Sequence, residues 1–199
     1  MCLGKYPFRH LLVFLLCSFG VILFSTQSQA AGRARPSAYD LTGKPVDPLE
    51  ASKGKVVVLL FIRTDCPVSN RYAPTIRQLS AAFAAQAKFW LVYPDKDESP
   101  EAIRAHDRDY RYTLSALRDP QHILVKLGGA TITPEAAVFA ADGHLVYHGR
   151  IDNWFVDFGR KRAAPTIHDL RDAITAAIAG KPATLPTEHA VGCYIADLN

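Results

Sequence analysis

The longest apolar run in the chain comes first, from Leu11 to Phe24, and it is preceded by Lys5, Arg9 and His10. Its 14 residues fall short of the roughly 20 that span a bilayer comfortably. With the small and polar Ser28-Gln29-Ala30 behind it, the run predicts a signal peptide over residues 1–30, cut after Ala30. The alternative is an uncleaved N-terminal anchor through residues 11–24. Cys17 lacks the small preceding residue of a lipoprotein cleavage site and reads as a passenger in the run.

Residues 31–37 form a polar lead-in. Tyr39–Leu41 and the turn residues Thr42-Gly43-Lys44-Pro45 predict a short strand and turn. Val56–Ile62, continuous and rich in β-branched residues, predicts a strand buried on both faces. A helix is expected from Pro67, because a missing N–H costs nothing in the first turn. Ile76, Leu79, Phe83 and Ala87 supply its apolar stripe, and Pro74 predicts a kink near Arg71-Tyr72. A strand over Lys88–Tyr93 follows, then a helix capped by Ser99 and opened by Pro100, running to about His106. A short strand near Thr113–Leu117 and a helix from Asp119-Pro120 to Leu127 come next.

Glu135–Ala140 and Leu145–Gly149 read as a hairpin closed by Asp142-Gly143. The last helix carries Ile167, Leu170, Ile174, Ala177 and Ile178 on one face, with Thr166 and Asp169 as a capping pair and Gly180-Lys181-Pro182 as its stop. Alternating strands and helices followed by a hairpin predict an α/β fold, a central mixed sheet flanked by helices. The expected organisation is a domain over residues 38–180 and a tail over 181–199.

Charge adds little to this picture. The net charge of +4 falls to +2 without Lys5 and Arg9, which argues against a nucleic-acid binder. The basic groups at Arg104–Arg111 and Arg160–Arg162 are mixed with acids or lie near turns, and read as solvated faces. Cysteine usage changes the picture more. Of four cysteines only Cys66 and Cys193 lie beyond the apolar leader, which in an exported chain points to a disulfide or a reactive pair. There is no Cys-x-x-Cys, haem-attachment or four-ligand zinc pattern, and no cofactor or metal is expected. His148 or His189 beside Cys193 is too weak a pattern to name a metal site.

Cys66 falls at a strand-to-helix junction, where unpaired N–H groups and the helix dipole favour a thiolate. Asp65 opposes that effect, and Arg63 and Arg71 stand near enough in sequence to offset it. Cys66-Pro67-Val68-Ser69 at a helix start, with Ile132-Thr133-Pro134 before another strand, resembles the thioredoxin superfamily. By that resemblance Thr133-Pro134 is the cis-proline that lies against the reactive cysteine. A narrower likeness rests on Thr64-Asp65-Cys66-Pro67-Val68-Ser69-Asn70-Arg71-Tyr72-Ala73-Pro74, Thr133-Pro134-Glu135, Tyr147 to Asn153 and Val191 to Ile195. These segments are similar to exported bacterial redoxin-domain proteins of the alkyl hydroperoxide reductase/thiol-specific antioxidant group, over about residues 36–198.

The resemblance implies thiol chemistry at a site made of Cys66, Cys193, Thr133, Pro134, Thr64 and Arg71. The departures narrow it. Ser69 stands where a thioredoxin has its second cysteine, and a serine cannot resolve a mixed disulfide. Arg63 stands where peroxiredoxins carry the Thr or Ser that orients peroxide, with Thr64 one residue late. Asn70 stands where the copper-chaperone relatives have their second cysteine.

The favoured expectation is a thiol–disulfide oxidoreductase with Cys193 resolving, though a permanent Cys66–Cys193 staple is also open. The alternatives are a thiol peroxidase with a modified site, or a non-enzymatic redoxin fold that binds a partner or metal. The expected partners are a disulfide or peroxide substrate, which Thr133 would receive as an added strand if it is a peptide, and a thiol electron donor. The expected location is the periplasm, or the outer face of the inner membrane if the leader anchors the chain. Tyr72 reads as a lid over Cys66 or as packing, Trp90 as core, and Arg150–Asn153 as a partner-positioning loop or an internal Arg150–Asp152 pair.

Overall fold

A computed structural model describes residues 37–52, 54–184, 189–196 and 198. The leader, its cleavage point and most of the lead-in lie outside the described residues. Among the described residues no helix is long and apolar enough to cross a membrane.

The sheet is built around β3 (Val56–Phe61), every residue of which is buried. Parallel β4 (Ala87–Tyr93) lies on one side and antiparallel β7 (Glu135–Phe139) on the other. Beyond β4 come β5 (Ser115–Arg118), β1 (Ala38–Asp40) and β2 (Pro45–Val46); beyond β7 comes β8 (Leu145–Gly149). The order β2-β1-β5-β4-β3-β7-β8 is a seven-stranded mixed sheet, and the fold is thioredoxin-like. Its outer strands are the two-residue β2 and the hairpin partner β8, whose pairing with β7 shifts register at Val138/Phe139.

Period-two alternation sends the side chains of β3 into two cores. Val56, Val58 and Leu60 meet α1 (Pro67–Ala82), α2 (Pro100–Asp109) and α4 (Asp169–Ile178) through Ile76, Leu79, Ile103, Leu170 and Ile174. Val57, Leu59 and Phe61 pack with Trp90, Leu124, Val125 and Ile195 on the side of α3 (Ile123–Gly128). Trp90 is core, as expected, and its indole N–H donates to the Ser52 hydroxyl at 3.0 Å.

The helix starts follow local chemistry. Ser99 Oγ accepts the Ala102 N–H at 3.2 Å, and Pro100 opens α2 as the sequence predicts. The helix runs on to Asp109, past the expected end at His106. α1 continues through Pro74 as one helix to Ala82. Its stripe ends at Phe83, and Ala87 opens β4 instead.

The cap of α4 departs from expectation. His168 is the N-cap and makes no capping bond. Thr166 is held elsewhere: Asn153 Oδ1 accepts the N–H groups of Thr166 at 2.8 Å and Ile167 at 3.0 Å, while Asn153 Nδ2 donates to Thr166 Oγ1. Ile167 is left half exposed, and the buried stripe begins at Leu170.

Candidate active site

Cys66 ends the loop after β3 and is the N-cap of α1, with φ −81° and ψ 111°. Its sulfur accepts the Ser69 N–H at 3.5 Å, while its carbonyl takes the Asn70 N–H at 3.0 Å as the first helical bond. As a thiol it donates to the Thr133 carbonyl at 3.2 Å, across the cis Thr133-Pro134 bond that the resemblance implied. Cys66 and Thr133 are both fully buried.

A second, two-stranded sheet completes the site. β6 (Ile132–Thr133) pairs antiparallel with β11 (Cys193–Tyr194), matching Cys193 to Thr133 and Tyr194 to Ile132. The Ile195 N–H extends the ladder to Thr131 O at 3.0 Å, and Thr133 Oγ1 donates to Cys193 O at 3.3 Å. Cys193 thus faces Cys66 across the proline segment. The cysteines are free thiols, and each shifts the ionisation of the other.

This mutual effect divides the two thiols. Burial pushes the Cys66 pKa up, but the neighbouring Cys193 thiol and the polar groups of Ser69 and Thr133 together hold it below the ordinary cysteine value. Cys193 goes the other way. Burial, then the neighbouring Cys66 sulfur and its negative charge, push it up to about 12, against a smaller pull from Arg63. Of the two thiols Cys66 is the one that ionises more readily, and Cys193 is the one that keeps its proton. In the reduced protein, alkylation of Cys66 is expected to titrate with a midpoint below the ~8.5 of a free cysteine, with Cys193 inert through that range. A Cys66 midpoint at or above 8.5 would contradict this assignment.

The loop before Cys66 is clamped by residues that the sequence did not single out for this task. Glu98 Oε1 accepts the Thr64 N–H at 2.6 Å, and Asn70 Nδ2 donates to Thr64 O at 3.0 Å. Asn70 Oδ1 meets His106 Nε2 at 2.8 Å, and His106 Nδ1 meets Tyr93 Oη at 2.9 Å, whose hydroxyl also reaches Asp107 at 2.9 Å. One available signal was Asn70 itself, a poor helix former placed mid-turn where its side chain must earn its position by bonding. Ser69, noted only for the cysteine it replaces, gives its N–H to the sulfur, while its buried hydroxyl has no hydrogen-bond partner among the described residues.

Burial holds His106 neutral, with its pKa lowered to about 4. An unfolded histidine takes its proton near 6.5, so the fold loses stability as pH falls from about 6.5 towards 4, by up to about 3 kcal/mol. Urea titrations of His106→Gln are expected to show a flatter pH dependence than wild type over that window; parallel curves would contradict it.

Arg63 Nη2 bridges Asp65 at 3.1 Å and Asp95 at 2.9 Å, offsetting the acid beside Cys66 as anticipated. Arg71 is exposed and lines a surface hollow with Pro74, Arg77 and Tyr110. Tyr72 is packing: buried, it donates to Asp152 Oδ1 at 2.7 Å and lies against Trp154 and Phe155. Arg150, Asp152 and Asn153 are also buried and engaged within the fold, so this loop braces the structure instead of presenting itself to a partner. Arg150 is ion-paired to Asp169 at 2.7 Å. Among the described residues no group of three or more His, Cys, Asp or Glu is placed to hold a metal ion.

A thioredoxin-like sheet with a helix-start thiol facing a second thiol defines a thiol-based redox protein. The AhpC/TSA family model matches residues 30–148, more than half of the chain, and the chain belongs to that family. Among solved structures it is similar to a hypothetical protein from Sinorhizobium meliloti 1021, at 23% identity and TM-score 0.66, covering 80% of this chain and 88% of that one. An uncharacterized conserved protein from Geobacillus kaustophilus matches at 20% identity and TM-score 0.65, over 80% and 86%. The exposed lipoprotein thioredoxin of Streptococcus pneumoniae strain TIGR4 matches at 20% identity and TM-score 0.52, over 72% and 97%. No curated protein matches the chain.

Proposed function

We propose that the chain is an exported thiol–disulfide oxidoreductase in which Cys66 attacks and Cys193 resolves. The observation that carries this reading is that Thr133 holds both cysteines: its carbonyl accepts the Cys66 thiol, and Cys193 is its partner in the short ladder. In the first step the Cys66 thiolate attacks a substrate disulfide. One substrate sulfur joins Cys66 and the other leaves as a thiolate. Cys66 then no longer carries the charge that helps hold the Cys193 proton in place. Cys193 loses that proton to solvent, attacks the Cys66 sulfur and expels the second substrate thiolate.

The balance is one substrate disulfide reduced by two electrons and one Cys66–Cys193 disulfide formed. An external dithiol must reduce that bond for a further turn, and the reverse sequence would oxidise a substrate dithiol. In this reading residues 38–180 are the redoxin body and 181–199 the tail that carries the resolving thiol. The leader places the protein in the periplasm, or on the outer face of the inner membrane if it is retained, where disulfides persist.

The test is to mix the reduced protein separately with oxidised glutathione and with hydrogen peroxide, and to follow the Cys66–Cys193 bond by mass spectrometry. Faster closure with the disulfide is the expected result. Rapid closure with peroxide alone would move the assignment to a thiol peroxidase, and a bond that resists mild dithiols would make it a structural staple.

A further inference from the structure

The tail does more than carry a thiol. Cys66 is fully buried, and the segment from Ala190 to Ile195 lies along the β6 segment beside it, with Ala190 and Ile195 both buried. A disulfide substrate must approach the Cys66 sulfur directly, and no such path is open while that sulfur is enclosed. The segment is also lightly attached. Its ladder is two residues long, Tyr194 is 77% exposed, and its buried apolar residues are Ala190 and Ile195, with Val191 and Cys193 only partly covered. Segments with few buried contacts and short ladders open at a small fraction of the global unfolding cost.

The backbone at Gly192 decides whether the tail can seat at all. A Cβ there would overlap the Thr133 carbonyl oxygen and lie 2.7 Å from its carbonyl carbon. Both are backbone atoms of the segment that also holds the Cys66 thiol, so neither can give way without moving the site. Gly192 has no positive φ, so the requirement is for space and not for an unusual backbone conformation. Cys193, next in the chain, is placed by this close approach.

We infer that residues 190–195 are a removable cover over Cys66, and that Gly192 is the positioning residue that lets the cover seat and bring Cys193 to the sulfur. This rests on the proposed redox cycle for its purpose, but not for its physical content. Seated, the cover excludes substrate. Lifted, it admits one disulfide to Cys66. Reseated on the mixed disulfide, it delivers the resolving thiol. Access and resolution are thereby two positions of one segment. Cys66, Arg63 and Asp65 are the ionisable groups that act on Cys193 when it is seated.

The experiment measures alkylation of Cys66 by iodoacetamide as a function of pH, resolved by peptide mass, in reduced wild type and Gly192→Ala. Access sets the high-pH plateau and ionisation sets the midpoint. If the cover lifts only transiently in wild type, unseating it is expected to raise the plateau at least about tenfold. The midpoint rises as well, because Cys66 loses the nearby Cys193 thiol that favours its thiolate. A merely structural glycine would move neither parameter while the fold and its melting temperature were kept. Ile195→Asp, which removes an apolar anchor without a steric clash, is expected to reproduce both changes and serves if Gly192→Ala does not fold. A plateau unchanged in either folded variant overturns the cover. A raised plateau in a protein that exchanges with no disulfide keeps the cover and removes the oxidoreductase reading instead.

Discussion

A Cys193→Ser protein is expected to stop halfway through disulfide exchange, holding the substrate on Cys66 as a mixed disulfide that mass spectrometry can count. Its turnover with a model disulfide and an external dithiol should fall on the order of a hundredfold. The reason is that a tethered thiol at millimolar or higher effective concentration is replaced by a dilute one. The first step survives, since Ser69 and Thr133 still act on the Cys66 sulfur. A seryl hydroxyl keeps a polar group at position 193 but cannot attack sulfur at neutral pH. Unchanged turnover in Cys193→Ser would show that resolution comes from elsewhere. Cys66→Ser is the complementary control, and no mixed disulfide should form on it.

Asp169→Ala is expected to be the most costly substitution for stability among the polar residues near the site. Asp169 Oδ2 and Arg150 Nε meet at 2.7 Å with side chains only 9% and 7% exposed. Removing the carboxylate takes the counter-charge at 2.7 Å from a buried guanidinium, and breaking a buried pair in this way typically costs about 3–5 kcal/mol. For a domain of this size that corresponds to a fall in Tm of roughly 10 °C or more. Ile167→Ala two residues earlier, at a half-exposed position, is expected to change stability by less than about 0.5 kcal/mol. A loss below 1 kcal/mol for Asp169→Ala in urea titration would show that Arg150 finds another route to satisfaction.

The frame of the fold was legible in the sequence because its signals are local. Val56–Ile62 announces a doubly buried strand by composition alone, and Ser99-Pro100 announces a helix start by the chemistry of two residues. Cys66 was legible for the same reason, as a thiol at a strand–helix junction. What could not be read depends on partners far along the chain. Asn153 takes the N–H groups of Thr166 and Ile167 from 13 and 14 residues away, and so displaces the expected cap. The clamp on Thr64 joins residues 34 and 6 positions off, in Glu98 and Asn70. β6 and β11 are two residues each, too short to show any periodicity. Gly192 acquires its meaning only from a carbonyl at Thr133, which no pattern in the tail records.

The outer strands of the large sheet bear on how the protein behaves when crowded. β2 is two residues long and begins with Pro45, which has no N–H to offer an incoming strand. β8 breaks register against its neighbour near the hairpin. Short, proline-bearing or irregular borders discourage edge-to-edge pairing between molecules. Concentrated protein is therefore expected to resist polymerising through its main sheet. The acceptor of an extended segment is instead the two-residue β6, away from that sheet's borders, where a strand from the same chain already satisfies the exposed backbone. A fold that pairs an extended strand of its own chain beside Cys66 can in this way remain closed to unwanted strands elsewhere.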